Sequence, residues 1–208
     1  WARLYPMKHA IEHLANLEPV FQKIIDQYGQ PKIPFRPQGF ETLVLLILEQ
    51  QVSIDSAKAT FLKLKTKVFS IEPEILVVLS DEDFRAVGVS RQKTSYIKGL
   101  SQTIINKEIH LESLADKTAE DVRNELIKIK GIGTWTIDVY LMFSLQAPDV
   151  MPLGDIAVVN TLKELFDIHT KETMEEFAKQ WAPYRTAATF IMWHHYPNKR
   201  NRTIEYIY

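Results

Sequence analysis

The sequence predicts an all-α protein made of two helical lobes. Three observations carry that expectation. Apolar residues recur three and four apart along nearly the whole chain, the period of a helix that buries one face. Side chains suited to helix N-caps stand ahead of these runs. No segment alternates convincingly enough to be a strand. A length of 208 residues with 46% hydrophobic content suffices for one sizeable core or two small lobes.

In chain order, Leu4, Met7, Ile11 and Leu14 form a first stripe, and Val20, Phe21, Ile24 and Ile25 a second. Gly29-Gln30-Pro31 ends it, and the proline-rich stretch Gln30 to Gln38 reads as a loop crossing. The run Leu43 to Leu48, bounded by Glu41 and Glu49, is the longest apolar stretch and falls far short of a membrane span. Ser53 is placed to cap a helix from Ile54 to Phe69. Pro73 and the Ser80 cap favour a short helix over a buried strand at Ile75 to Leu79. Ser80 with Asp83, and Thr118 with Asp121, have the spacing of an N-cap and an acid at the third helical position. Further breaks fall at Gly88, Pro148 to Pro152 and Pro183. The result is about ten helices without an internal repeat. The central lobe is expected over 38–145 and the second lobe over 1–37 plus 146–208.

Composition narrows the chemistry. There is no cysteine, which removes disulfides, thiolate zinc sites, iron–sulfur clusters and a cysteine nucleophile. The histidines do not form a metal set. His194 and His195 are adjacent and face different ways on a helix; His9 and His13 are four apart but lack a Glu-x-x-His context. The net charge is −1, whereas nucleic-acid binders are often strongly basic. A phosphate-binding surface nonetheless needs only a few cations on one face. Arg91, Lys93, Lys98, Lys128, Lys130, Lys199, Arg200 and Arg202 are the candidates. No secretory signal pattern opens the chain; it begins at Trp1 rather than Met, so a preceding segment is expected.

The most informative stretch is Leu126 to Thr136, Leu-Ile-Lys-Ile-Lys-Gly-Ile-Gly-Thr-Trp-Thr. It reads as helix, tight Gly-x-Gly turn, helix. Gly131 and Gly133 permit positive φ and close approach of another backbone. Ile132 anchors the turn, and Thr134 is expected to cap the helix that runs on to about Leu145. Amides at Gly131, Gly133 and nearby would then face outward at a helix N-terminus, a place that binds phosphate without reading sequence. An ordinary helix–helix turn is the competing reading. Downstream, Asp155 precedes the apolar run Ile156 to Val159. By spacing alone it is an N-cap, a role compatible with chemistry because a cap fixes the direction of a carboxylate.

Five segments together carry a family likeness: Leu45 to Ser53, Gly88 to Lys93 continuing to Ile97, Lys130 to Thr136, Pro152 to Asp155, and Trp181 to Ala188, ending near Trp193. In that order, over about residues 40 to 196, the chain resembles the helix-hairpin-helix DNA glycosylases, specifically the 3-methyladenine DNA glycosylase II branch for alkylated bases. The resemblance implies two helical lobes with the active site in the cleft between them, and a helix-hairpin-helix over roughly 118–145. It also implies a monovalent cation, Na+ or K+, held by the carbonyls of Ile127, Ile129 and Ile132 when DNA is bound. No other cofactor is implied.

Under that resemblance Asp155 is the catalytic carboxylate. Cleaving an N-glycosidic bond develops positive charge on the sugar, which a fixed anion stabilises while orienting or deprotonating water. One carboxylate suffices when the leaving base is already cationic, which favours 3-methyladenine and 7-methylguanine. Superfamily members that also cut the strand carry a lysine two residues after the second hairpin glycine. Here that residue is Trp135, so a monofunctional enzyme that leaves an abasic site is implied. The base must be flipped from the duplex into an aromatic pocket suited to a cation. Trp135 and Trp193 match the family's pocket aromatics. Close relatives often place Tyr four residues after the hairpin Trp, where Val139 stands; Tyr140 follows it about 100° away around a helix, and Val139 and Tyr140 complete the expected base pocket. Gln50-Gln51 matches the segment that plugs the gap left by the flipped base, with Gln51 at the intercalating position and a polar helix end as the plainer alternative.

The partner implied is double-stranded DNA with damaged bases, with no membrane and no obligate protein partner. The setting implied is intracellular, cytoplasm or nucleoid in a bacterium and nucleus in a eukaryote. Two other readings stay open on the residues alone. One is a non-catalytic helix-hairpin-helix DNA-binding protein. The other is a glycosylase of the same fold acting on deaminated bases, such as hypoxanthine or uracil, or on oxidised ones.

Overall fold

The computed structural model describes residues 4–205; Trp1 and the end of the 146–208 segment lie outside them. Among the described residues there are twelve α-helices, two 3-10 turns and no strand. The short helix expected at Ile75 to Leu79 lies at Pro73–Leu76, and the Ser80 cap opens another, Asp81–Ala86. No helix is long and apolar enough to cross a membrane.

The chain forms two compact units, residues 35–145 and residues 4–34 with 146–205. The first contains α3 (Phe40–Glu49), α4 (Ile54–Val68), α5 (Pro73–Leu76), α6 (Asp81–Ala86), α7 (Arg91–Ile105), α8 (Ala119–Leu126) and α9 (Thr134–Phe143). The second contains α1 (Leu4–Leu17), α2 (Pro19–Tyr28), α10 (Ile156–Phe166), α11 (Lys171–Ala178) and α12 (Arg185–Lys199).

Helix α3 explains the apolar run of the sequence. Leu43 through Ile47 are at most 1% exposed, so the helix is buried on every side, as an all-round hydrophobic helix must be. The expected caps form. Ser53 Oγ accepts from the Ser56 amide, Ser80 Oγ from Asp83 and Thr118 Oγ1 from Asp121, each at 3.1 Å. In the second unit, Leu14, Phe21, Val158, Leu162, Trp181, Ala188 and Ile191 belong to one core cluster. Phe21, Phe166 and Phe177 surround the Trp181 ring at centroid distances of 4.9–5.4 Å.

The proline-rich crossing does more than connect. Arg36, within it, is fully buried. Its Nη1 and Nη2 donate to Glu49 Oε1 and Oε2 at 2.6 and 2.8 Å, its guanidinium lies over the Phe143 ring, and its amide donates to the Phe143 carbonyl. These bonds draw the chain from Phe35 onward into the central unit, which therefore begins a few residues before the border expected at 38. Removing one partner of a buried, bidentate ion pair leaves the other charge desolvated. Glu49→Ala is accordingly expected to destabilise the fold by about 3–5 kcal/mol, read from the denaturant midpoint. Replacing both partners with leucine or methionine is expected to recover most of that loss, because the pair's own desolvation cost disappears.

Candidate functional site

The turn between α8 and α9 is tightly wound. Ile129 donates to the Leu126 carbonyl and Ile132 to the Ile129 carbonyl, both at 3.1 Å. Ile132 is 2% exposed and anchors the turn. Gly131 has φ +90°, and a Cβ built there would stand 2.2 Å from Cγ of Tyr96 on α7. The turn is thus seated on an aromatic ring that tolerates no side chain. Gly133, by contrast, is exposed, and a Cβ on it would meet nothing within 4 Å.

One expectation is corrected here. The N-cap of α9 is Gly133, not Thr134: Gly133 is extended, its carbonyl accepts from the Ile137 amide, and no side chain caps this end. Thr134 is the first helical residue and is exposed. The start of α9 consequently keeps its donors outward. Among the described residues, no acceptor takes the amides of Gly131, Gly133 and Thr134. Amides of this kind at the start of a ten-residue helix form an anion site.

The supports of this turn were not legible in the sequence. Gln50, expected to touch DNA, instead turns its side-chain amide inward, donating to the Gly131 carbonyl at 2.8 Å and the Thr136 hydroxyl at 3.0 Å. Lys93 is also corrected. Its ammonium donates to the Leu48 carbonyl at 2.8 Å, closing the C-terminal end of α3, and burial pushes its pKa down. Arg123 on α8 and the buried Asp138 on α9 are joined at 2.5 Å, which locks the two hairpin helices together. Gln51 is exposed and left-handed at φ 57°, and Val52 beside it is 44% exposed. Arg91, Lys128 and Lys130 are exposed. Lys98 is paired with Asp81, and Lys199 and Arg200 with Glu164, so these are not open phosphate contacts.

Two pocket expectations are likewise corrected. Tyr140 is fully buried and its hydroxyl accepts from the Gly39 amide at 2.9 Å; burial pushes its phenol up. Val139 is 3% exposed. Both fill the interior and offer no face to a ligand. Trp135, one residue into α9, is half-buried.

Asp155 lies in the other unit. A bidentate pair holds the approach to it: Arg185 Nε and Nη2 donate to Asp149 at 2.8 and 2.9 Å. The Arg185 guanidinium keeps the Asp149 carboxyl below its usual range, and that carboxylate in turn raises Arg185. The Thr186 hydroxyl accepts from the Val150 amide and donates to the Ala147 carbonyl. Asp155 then caps α10, its Oδ2 accepting from the Val158 amide at 3.1 Å. The same oxygen accepts from Nε1 of Trp193 at 2.9 Å. A cap alone does not need the second donor. Trp193 is half-buried and lies 6.0 Å from the Phe190 ring. The sequence carried no local signal for this bond, because its partners sit on different helices.

Of the expected site residues, the structure gathers Gly131 to Trp135, Ile127, Ile129, Gln50 and Lys93 in the first unit, with Gln51 next to Gln50 in the chain. Asp155 and Trp193 are in direct contact in the second.

A family model for the HhH-GPD superfamily of base excision DNA repair proteins matches residues 44–183. The chain is similar to a crystal structure of a DNA-3-methyladenine glycosidase from Bacillus halodurans, with 30% identity, a TM-score of 0.78, and coverage of 94% of this chain and 91% of that one. It is also similar to the 3-methyladenine DNA glycosylase of Schizosaccharomyces pombe in complex with abasic DNA, with 29% identity, TM-score 0.78 and coverage of 89% and 95%. A Bacillus subtilis relative carrying the name putative DNA-3-methyladenine glycosylase is 27% identical over 198 residues, covering 90% of this chain and 68% of its own length.

Proposed function

The chain belongs to the HhH-GPD superfamily of base excision DNA repair proteins, and from that membership we propose that it is a monofunctional glycosylase for alkylated purines. It takes 3-methyladenine and 7-methylguanine from double-stranded DNA inside the cell and leaves an abasic site. The observation that carries the reading is the convergence of the Trp193 indole and the Val158 amide on one oxygen of Asp155. Two donors on one oxygen fix the direction of the carboxylate.

The chemistry follows from that anion. As the bond from C1′ to the purine nitrogen breaks, its electron pair goes to the base. A cationic 7-methylguanine thereby leaves neutral, and no acid is needed to protonate it. The positive charge that grows on the sugar faces Asp155, a preorganised anion that stabilises it more in the transition state than in the ground state. Water adds at C1′, and its proton passes to Asp155 or to solvent. Trp193, in contact with Asp155, supplies aromatic surface for a cationic base. The hairpin amides hold a DNA phosphate. The carbonyls of Ile127, Ile129 and Ile132 are hard oxygen donors of the kind that suits Na+ or K+. Among the described residues those of Ile127 and Ile132 take no backbone donor outside regular helix bonding. An ion held there would add positive charge beside the hairpin amides. No protein partner is required.

The test is release of base from duplexes carrying 7-methylguanine, 3-methyladenine, hypoxanthine or uracil, with borohydride added in parallel. Excision of the methylated purines above the deaminated bases, with no protein–DNA adduct, is expected. Preference for uracil or hypoxanthine replaces the substrate class. A trapped adduct contradicts the monofunctional reading, because only an amine nucleophile forms a reducible Schiff base.

A further inference from the structure

Gln50 stands at the end of the buried helix α3, between two elements that must act on DNA together. Its backbone leads directly into the exposed, left-handed Gln51. Its side chain reaches across to the hairpin, where Nε2 bonds the Gly131 carbonyl and the Thr136 hydroxyl. A glutamine amide offers two N–H donors, and both hairpin contacts are made from that nitrogen. The end of α3 has two further restraints. Lys93 closes the Leu48 carbonyl, and Arg36 grips Glu49. The hairpin is seated from below by the Tyr96 ring. The turn that carries Gln51 and Val52 is therefore a rigid extension of the hairpin, and Gln50 is the side chain that spans the two.

We propose that Gln50 is a positioning residue that holds the plug turn at Gln51 in fixed register with the phosphate-gripping hairpin, so that backbone capture and filling of the vacated base position occur as one event. The inference rests on the DNA-glycosylase reading. It takes Gln50 itself out of the DNA contact set and gives it a coupling role instead. Side chains that place a binding group act through geometry, and a misplacement near 1 Å costs on the order of 100-fold in rate.

The experiment uses the full chain and two probes. Affinity for an undamaged duplex reports the hairpin. Fluorescence of 2-aminopurine opposite a tetrahydrofuran abasic analogue reports insertion of the plug. Three variants are compared: Gln50→Ala, Gln50→Met and Gln50→Glu. Alanine and methionine remove both donors, and each is expected to weaken duplex affinity about 10-fold and to reduce the fluorescence change, with thermal midpoints lowered by only about 2–4 °C as the Gly131 carbonyl loses its donor. Glutamate supplies the diagnostic. Ionised, it sets a carboxylate against the Gly131 carbonyl and is worse than alanine. Protonated, it regains one donor. Its deficit relative to wild type should shrink as pH falls from 7 to 4, through the ordinary glutamate range, while that of Gln50→Ala stays flat. Variants that bind and plug like wild type, or a Gln50→Glu deficit that does not respond to pH, overturn the coupling role alone. A wild-type chain that binds no duplex overturns it together with the reading beneath it.

Discussion

Asp155→Asn lowers single-turnover release of 7-methylguanine by about 1,000-fold, while affinity for the duplex and the thermal midpoint stay close to wild type. The separation is expected because asparagine caps a helix as well as aspartate does. Its side-chain oxygen can still accept from Val158 and from Trp193, so α10 and the indole keep their places. What is lost is the charge, and only the charge is needed more in the transition state than before it. Asp155→Ala loses the cap as well and should add a stability deficit of about 1 kcal/mol. Full activity in Asp155→Asn would mean the carboxylate is a cap and nothing more. Loss of duplex binding along with activity would point to a structural collapse rather than to chemistry.

Gly131→Ala is expected to be the most damaging change in the hairpin, weakening duplex binding about 100-fold and lowering the thermal midpoint. Two physical terms add. A non-glycine residue held at φ +90° costs about 1–3 kcal/mol. The new Cβ also falls 2.2 Å from Tyr96 Cγ, inside any real contact distance, so the turn or the ring must move. Gly133→Ala is the informative partner. Its φ is −101° and nothing lies within 4 Å of the added carbon, so the fold should register only the poorer N-cap, a loss of about 0.5–1 kcal/mol. Binding should still fall, because the methyl group occupies the space a phosphate needs. A thermal midpoint lowered only by that cap loss, with affinity clearly reduced, in Gly133→Ala would mark that surface as the DNA-facing one. Unchanged affinity in Gly133→Ala would remove Gly133 from the interface.

How far the sequence could be read depended on whether an interaction was local. The caps at Ser53, Ser80, Thr118 and Asp155 each bond an amide three residues on, and spacing alone announces them. The glycines of the hairpin were legible for the same reason. The cap of α9 slipped by one residue because Gly133 needs no side chain to end the turn, which leaves composition no signal. Tyr140, expected at the pocket, is instead drawn by packing into the interior, where its hydroxyl meets Gly39. What stayed hidden was every side chain whose partner is chosen by packing. Tyr96 under Gly131, Gln50 on the hairpin, Arg36 on Glu49 and Trp193 on Asp155 join elements far apart in the chain. Lys93 and Gln50 looked like surface polar residues, yet both satisfy carbonyls that buried helix and turn ends would otherwise leave without donors.

The outward amides of Gly131, Gly133 and Thr134 set how the protein behaves in salt. Positively charged side chains gain affinity by displacing the mobile ions that condense on a duplex, and that gain fades as ionic strength rises. Peptide N–H groups carry no net charge and displace few such ions. Lys93, Lys98, Lys199 and Arg200 are already engaged within the chain, and the chain as a whole carries a net charge of −1. With Arg91, Lys128 and Lys130 left exposed, duplex affinity is expected to fall with salt only as steeply as a few cations dictate, a log–log slope of about −3, which a salt titration of binding measures.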